Sequence, residues 1–314
     1  MMKKILVLLT AALLLFTFPA MGEQTPEKLS IVATIFPAYD FAREVTGGLC
    51  DISMLLPPGS ESHSYEPTPQ DIIAIQNADL FVYVGGEGDH WVEEILDSMG
   101  ENAPQTLTLM ECVEIVEEEL VEGMEEEEEE HAAEDEGEVE YDEHVWTSPK
   151  NAIKIVEKLA SVLSELDVKH GTEYRMNAEG CITKLGELDA AFQAVVDQAA
   201  RKTIIFGDRF PLRYFADAYG LSYYAAFPGC STETEPSVKT IAFLMDKVVS
   251  EAIPVVFYIE FSNHKAADAI AEETGAKTLL FHSCHNVSPQ DMENGATYLT
   301  LMTQNVQALK EALN

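Results

Sequence analysis

DISMLLPPGSESHSYEPTPQDIIAIQ, residues 51–76, holds a whole structural unit in one run. Its apolar start up to the paired prolines reads as a strand over 51–59. Thr68 then reads as a helix N-cap, with Pro69 at the first helical position and Asp71 three residues after the cap. The helix carries Ile72, Ile73 and Ile75 and ends near Asn77. Between strand and helix lies His63, set among prolines, a glycine and small polar residues, with no apolar periodicity through it. A histidine in that setting is either an idle loop residue or the reason the loop has its shape.

The same strand–loop–helix alternation extends in both directions. KLSIVATIF (28–36) reads as a buried strand followed by a helix to about Thr46, DLFVYVGG (79–86) as a third strand, HWVEEILDSM as a helix and TLTLM (106–110) as a fourth strand. Strands alternating with helices imply parallel βαβ units. SPKNAIKIVEKLASVLSEL (148–166) is then an amphipathic helix. A longer helix from about Thr172 to Ala199 keeps Ile182, Leu185, Leu188, Phe192, Val195 and Ala199 at three-to-four spacing. At 1.5 Å per residue it spans about 40 Å. The alternation restarts with KTIIFG (202–207), LSYYAAF (221–227), PVVFYIEF (254–261) and KTLLF (277–281), each followed by a helix. The expected architecture is therefore α/β: two similar parallel-sheet lobes, 29–170 and 200–314, joined by one long rigid backbone helix, 171–199, with a cleft between the lobes.

Residues 1–22 are set aside from the fold. Lys3 and Lys4 precede an apolar run from Ile5 to Phe18, and Ala20-Met21-Gly22 offers small residues for cleavage after Gly22, so this is read as a signal peptide. The run is too short for a membrane span, and no lipobox cysteine closes it. The expectation is an exported, soluble chain, periplasmic or otherwise extracytoplasmic. The formal charge of −36 makes nucleic acid an improbable partner. Residues 117–143 hold 17 Asp and Glu with no Lys or Arg, and repulsion should keep that stretch open and mobile. Five cysteines in an exported chain permit disulfides and leave one thiol over.

Open α/β sheets bind ligands beyond the carboxyl ends of their strands, and several titratable residues fall there. His63 follows the second strand. His144 lies in YDEHVWTSP, between the acidic stretch and the next helix. Asp208 follows KTIIFG, and His282 and His285 follow KTLLF in HSCHN. Histidines reaching a cleft from both lobes form a transition-metal constellation, since neutral imidazole suits Zn²⁺ and the ion needs three or four donors. Taken singly, each also reads as polar surface. His90, His170 and His264 sit in helical contexts, and His131 lies inside the glutamate run.

SMLLPPGSESHSYEPTPQD (53–71), DEHVWTSP (142–149), YFADAYGL (214–221) and the acidic insert between the first two resemble the zinc and manganese substrate-binding proteins of bacterial ABC transporters, the ZnuA-like and TroA-like group. The resemblance covers residues 29–314 in order and spacing. It implies metal in the cleft, His63 and His144 as ligands, a membrane permease as partner, and a monomer. The second lobe departs from the family pattern. The family usually has a histidine five residues before the tyrosine of the YF run, where this chain has Arg209, which has no lone pair to offer. The family's acidic ligand at a strand end is read as replaced by His282. His285, Asp208 or a water completes the shell, giving His63, His144, His282 and His285 as the expected metal set. Arg209 pairs with Asp208 or Glu260 in the bland reading. Imidazoles in place of an acid favour Zn²⁺ over Mn²⁺ as the transported ion. Cys230 and Cys284 follow successive strand ends and are expected to form a disulfide, with Cys50 and Cys112 as a second pair and Cys181 left over.

Two other classes share these features: an acidic surface adhesin on the same fold, and a hydrolase using a zinc-bound water. Against the hydrolase, the chain has no HExxH helix motif. If the acidic stretch draws cations by its field, deleting residues 117–140 slows metal uptake more at low salt than at high salt in stopped-flow measurements. A deletion insensitive to salt rules that role out.

Overall fold

The computed structural model describes residues 28–61, 65–124, 140–231 and 235–314. The expected leader, His63 and His131 lie outside them. In the first lobe β1 (Ser30–Ala33), α1 (Phe36–Thr46), β2 (Asp51–Met54), α2 (Pro69–Gln76), β3 (Leu80–Tyr83), α3 (His90–Met99) and β4 (Gln105–Thr108) build a parallel sheet in the order β2-β1-β3-β4. Two long helices follow, α4 (Pro149–Leu166) and α5 (Gly171–Asp197). The second lobe repeats the plan with β5 (Thr203–Phe210), α6 (Arg213–Tyr219), β6 (Ser222–Pro228), α7 (Val238–Ser250), β7 (Val255–Tyr258), α8 (Lys265–Thr274) and β8 (Lys277–Leu280), in the order β6-β5-β7-β8. A short α9 (Pro289–Glu293) and a closing α10 (Tyr298–Leu313) complete the chain. No helix among the described residues is long and apolar enough to cross a membrane.

In each sheet the chain leaves its first strand to one side and returns past it to the other. The direction reverses between β1 and β3 and again between β5 and β7, and a crevice opens at the strand ends of such a switch point. The N-terminus of α2 forms as read: Thr68 Oγ1 accepts from Asp71 N, and the Asp71 carboxylate accepts from Thr68 N at 2.8 Å. Ser288 caps α9 ahead of Pro289, its Oγ accepting from Asp291 N and donating to the Asp291 carboxylate, a start unnoticed in the sequence because the helix is only five residues long. β5 continues to Phe210, three residues beyond the expected strand, through an irregularity between Phe206 and Arg209.

The lobes are joined by more than the linking helix. α5 is 27 residues long and packs against α1, α4 and α10. One apolar core runs through Phe41 and Trp146, through Leu185 and Phe192 of α5, and on to Phe215 and Phe281. Buried polar bonds cross the same boundary. Trp146 Nε1 donates to Ser283 O at 2.8 Å, Tyr298 Oη donates to Trp146 O at 2.7 Å, and Tyr298 N donates to Asp40 Oδ2 at 2.7 Å.

Two expectations are corrected. All five cysteines are free. Cys284 lies fully buried in the shared core, while Cys230 is partly exposed beside the Glu118, Asp142 and Glu143 carboxylates. Cys50 Sγ lies 3.3 Å from Tyr174 Oη, and Cys112 Sγ 3.3 Å from Thr108 O. The acidic stretch is not open at its described ends. Glu119 pairs with Arg213, Glu122 pairs with Lys247 at 3.3 Å, and Met124 is buried. Cations on the second lobe offset the repulsion there.

Gly207, in the middle of β5, lies under α8. A Cβ added to it would stand 2.4 Å from Ala267 Cα and 2.6 Å from Ala267 N, both backbone atoms. Gly207→Ala is expected to lower stability by about 1–3 kcal/mol through overpacking, read as a lower midpoint of urea unfolding.

Candidate metal centre

The first wall of the centre is built where the acidic stretch ends. Residues 116–118 and 140–142 pair in antiparallel fashion: Glu118 N donates to Glu140 O and Asp142 N donates to Val116 O, both at 3.0 Å. Tyr214 Oη, from the second lobe, donates to Asp142 O at 2.7 Å. So braced, the Asp142 carboxylate accepts from His144 N at 2.8 Å and lies 3.0 Å from His144 Nδ1. That bond puts the ring proton on Nδ1 and leaves Nε2 as the donor nitrogen. Burial works against charging the His144 ring, but the Asp142 carboxylate, with Glu143 and Glu118 behind it, raises its pKa above the ordinary value. The ring is fully buried. A Cβ on Gly229 would stand 2.9 Å from its Cε1, so only glycine lets the end of β6 approach this closely.

The second wall is the loop after β8. Phe36 N donates to His285 O at 3.2 Å, tying that loop to the first lobe. The His285 ring meets His144 edge-on with centroids 4.7 Å apart and lies 4.8 Å from the Trp146 ring. Glu143 is the third member: its Oε2 accepts from Gly88 N at 2.9 Å. One ligand atom from each of Glu143, His144 and His285 falls within 4.8 Å of the others. Two imidazoles and a carboxylate at that spacing can share one small cation. Among the described residues no other group of His, Cys, Asp and Glu does so.

The predicted residues divide. His144 and His285 are brought together. His63 lies outside the described residues, but both flanks of its loop are anchored. Gly59 N donates to Val287 O at 2.8 Å, and Asn286 Nδ2 donates to Pro57 O and Ser60 O. On the far side Tyr65 Oη donates to Asp71 Oδ2 at 2.9 Å. His282, by contrast, is not in the cluster. Asn305 of α10 accepts from its backbone N–H and donates to its C=O, both at 2.8 Å, and its ring lies beside Gln304. Asp208 has a structural role, accepting from Arg209 N and Ile259 N. The Arg209 side chain pairs with neither Asp208 nor Glu260. It makes a two-point ion pair across the cleft with Glu61, at 2.8 and 3.3 Å. Glu143 was missed because it counts among the charges of the acidic stretch, although it directly precedes His144.

The family model for ZnuA, the periplasmic zinc-uptake complex component A, matches residues 31–312. The zinc-binding lipoprotein AdcA of Streptococcus pneumoniae is 32% identical over 312 residues, which cover 99% of this chain and 61% of AdcA. The high-affinity zinc uptake system protein ZnuA of Bacillus subtilis is 33% identical over 293 residues, 91% of this chain and 88% of that protein. The chain thus spans less than two thirds of the length of the pneumococcal relative. Among solved structures, the Zn(II)-bound ZnuA-like domain of S. pneumoniae AdcA superposes with a TM-score of 0.74 at 29% identity, over 91% of this chain and 99% of that one. A laminin-binding adhesin of Streptococcus agalactiae, Lmb, superposes with a TM-score of 0.77 at 26% identity, over 91% and 100%. With its two parallel-sheet lobes and its sequence matched almost end to end, this chain belongs to the ZnuA family.

Proposed function

We propose that this chain captures Zn²⁺ outside the cytoplasm and hands it to the membrane permease of an ABC-type importer. The observation that carries the reading is the meeting of His144 and His285, one from each lobe, with Glu143 beside them. The ion is cargo here, and the chain acts as a carrier with no turnover. His144 offers Nε2 because Asp142 holds Nδ1, Glu143 beside it in the same segment adds a carboxylate, and His285 supplies a donor from the other lobe. His63, which the family resemblance implies as a further ligand, belongs to the loop whose flanks at Pro57, Gly59, Ser60 and Tyr65 are anchored. Arg209, spent on Glu61, takes no part in coordination. Imidazole-rich donors favour Zn²⁺ over Mn²⁺, which prefers carboxylate and water. The relatives named for zinc binding and zinc uptake support the same cargo. The ends of the acidic stretch are docked, so the salt test of its field belongs to residues 125–139.

Calorimetry on metal-stripped protein is expected to give one Zn²⁺ per chain and weaker Mn²⁺ binding. His285→Ala should weaken zinc by more than the roughly 10–100-fold that loss of an outer-shell partner costs, and His282→Ala should leave it unchanged. The opposite ranking of the two substitutions would show that the cluster is not the site.

A further inference from the structure

His285 has two ring nitrogens, and only one without a proton can hold a cation. The groups around it determine which. Ser283 Oγ lies 3.1 Å from His285 Nδ1 and 2.8 Å from Glu260 Oε1. Ser283 N donates to the other Glu260 oxygen, Oε2, at 2.7 Å. The serine is almost wholly buried, and its carbonyl accepts from the Trp146 indole, so its backbone is fixed from both sides. A serine hydroxyl has one proton. With a carboxylate oxygen at 2.8 Å that proton goes to Glu260, and the Oγ lone pair is left facing Nδ1.

We propose that Ser283 and Glu260 are positioning residues for the metal centre: a carboxylate–hydroxyl relay that keeps the His285 proton on Nδ1 and turns Nε2 toward the ion. This rests on the metal-binding reading above. The second lobe then does through one intervening hydroxyl what Asp142 does directly for His144 in the first. Each imidazole is held in the same tautomer by a carboxylate behind it, before any ion arrives. Such outer partners fix ring orientation and raise ligand basicity. They do so here through two residues, Ser283 and Glu260, that the expected ligand set of His63, His144, His282 and His285 did not contain.

The test reads the tautomer and the affinity separately. In metal-free protein labelled with ¹⁵N-histidine, two-bond ¹H–¹⁵N correlation should show His285 as the Nδ1–H form. Ser283→Ala should shift it toward Nε2–H and weaken zinc by about 10–100-fold, and Ser283→Thr, which keeps the hydroxyl, should restore both. Circular dichroism and urea midpoint should stay at the parent values, which separates positioning from loss of fold. An Nε2–H form in the parent protein would overturn the relay. So would weakened zinc binding in Ser283→Ala with the His285 tautomer unmoved. If the parent protein binds no zinc, the functional reading fails, and the tautomer, measured without metal, still reports on the relay.

Discussion

The hydrogen bond from the Trp146 indole to the Ser283 carbonyl crosses between the lobes inside the shared core. Burial leaves neither group an alternative partner in water, and an unpaired polar group there costs about 1–3 kcal/mol. The two segments must therefore meet in one register. Trp146 lies two residues after His144 and Ser283 two before His285, so the register that satisfies this bond also sets the two histidines edge to edge. Tyr298 closes the arrangement by donating to the Trp146 carbonyl while its own backbone N–H is taken by Asp40. The cleft is in this sense a by-product of satisfying buried polar groups at the lobe boundary.

Much of the fold was legible from local signals. Most strands are short apolar runs closed by Gly, Pro or Asn, and the Thr68-Pro69-Asp71 cap formed as read. The repeat of four strands before and four after the long helix gave the two sheets, whose common order then emerged. What was not legible is non-local. That α10 returns to pack on α5 and α1 depends on contacts between the two ends of the chain. The disulfides were inferred from compartment and strand order, but a thiol pairs only where side chains face one another, and Cys284 faces the core.

The metal centre shows the same division. His144 stood out because of the aromatic and proline that follow it. His282 and His285 could not be separated by sequence, since both sit in one irregular loop without periodicity. What separates them is Asn305, 23 residues beyond His282, which clasps its backbone on the outer side, and Trp146, against whose ring His285 lies. Arg209 was set aside as a ligand by its chemistry, yet its partner Glu61 lay on the other lobe, out of reach of any local reading.

The core that runs unbroken through both lobes has a thermodynamic consequence. Each lobe keeps a smaller apolar cluster of its own, around Val32 and Phe81 in the first and around Ile205 and Val256 in the second, but the larger core through Phe192 and its neighbours on α5 serves both. The molecule should melt as one cooperative unit with a single calorimetric transition, despite its bilobal outline. Damage under α8 on the second sheet and damage beside His144 in the first lobe would then draw on the same reserve of folding free energy.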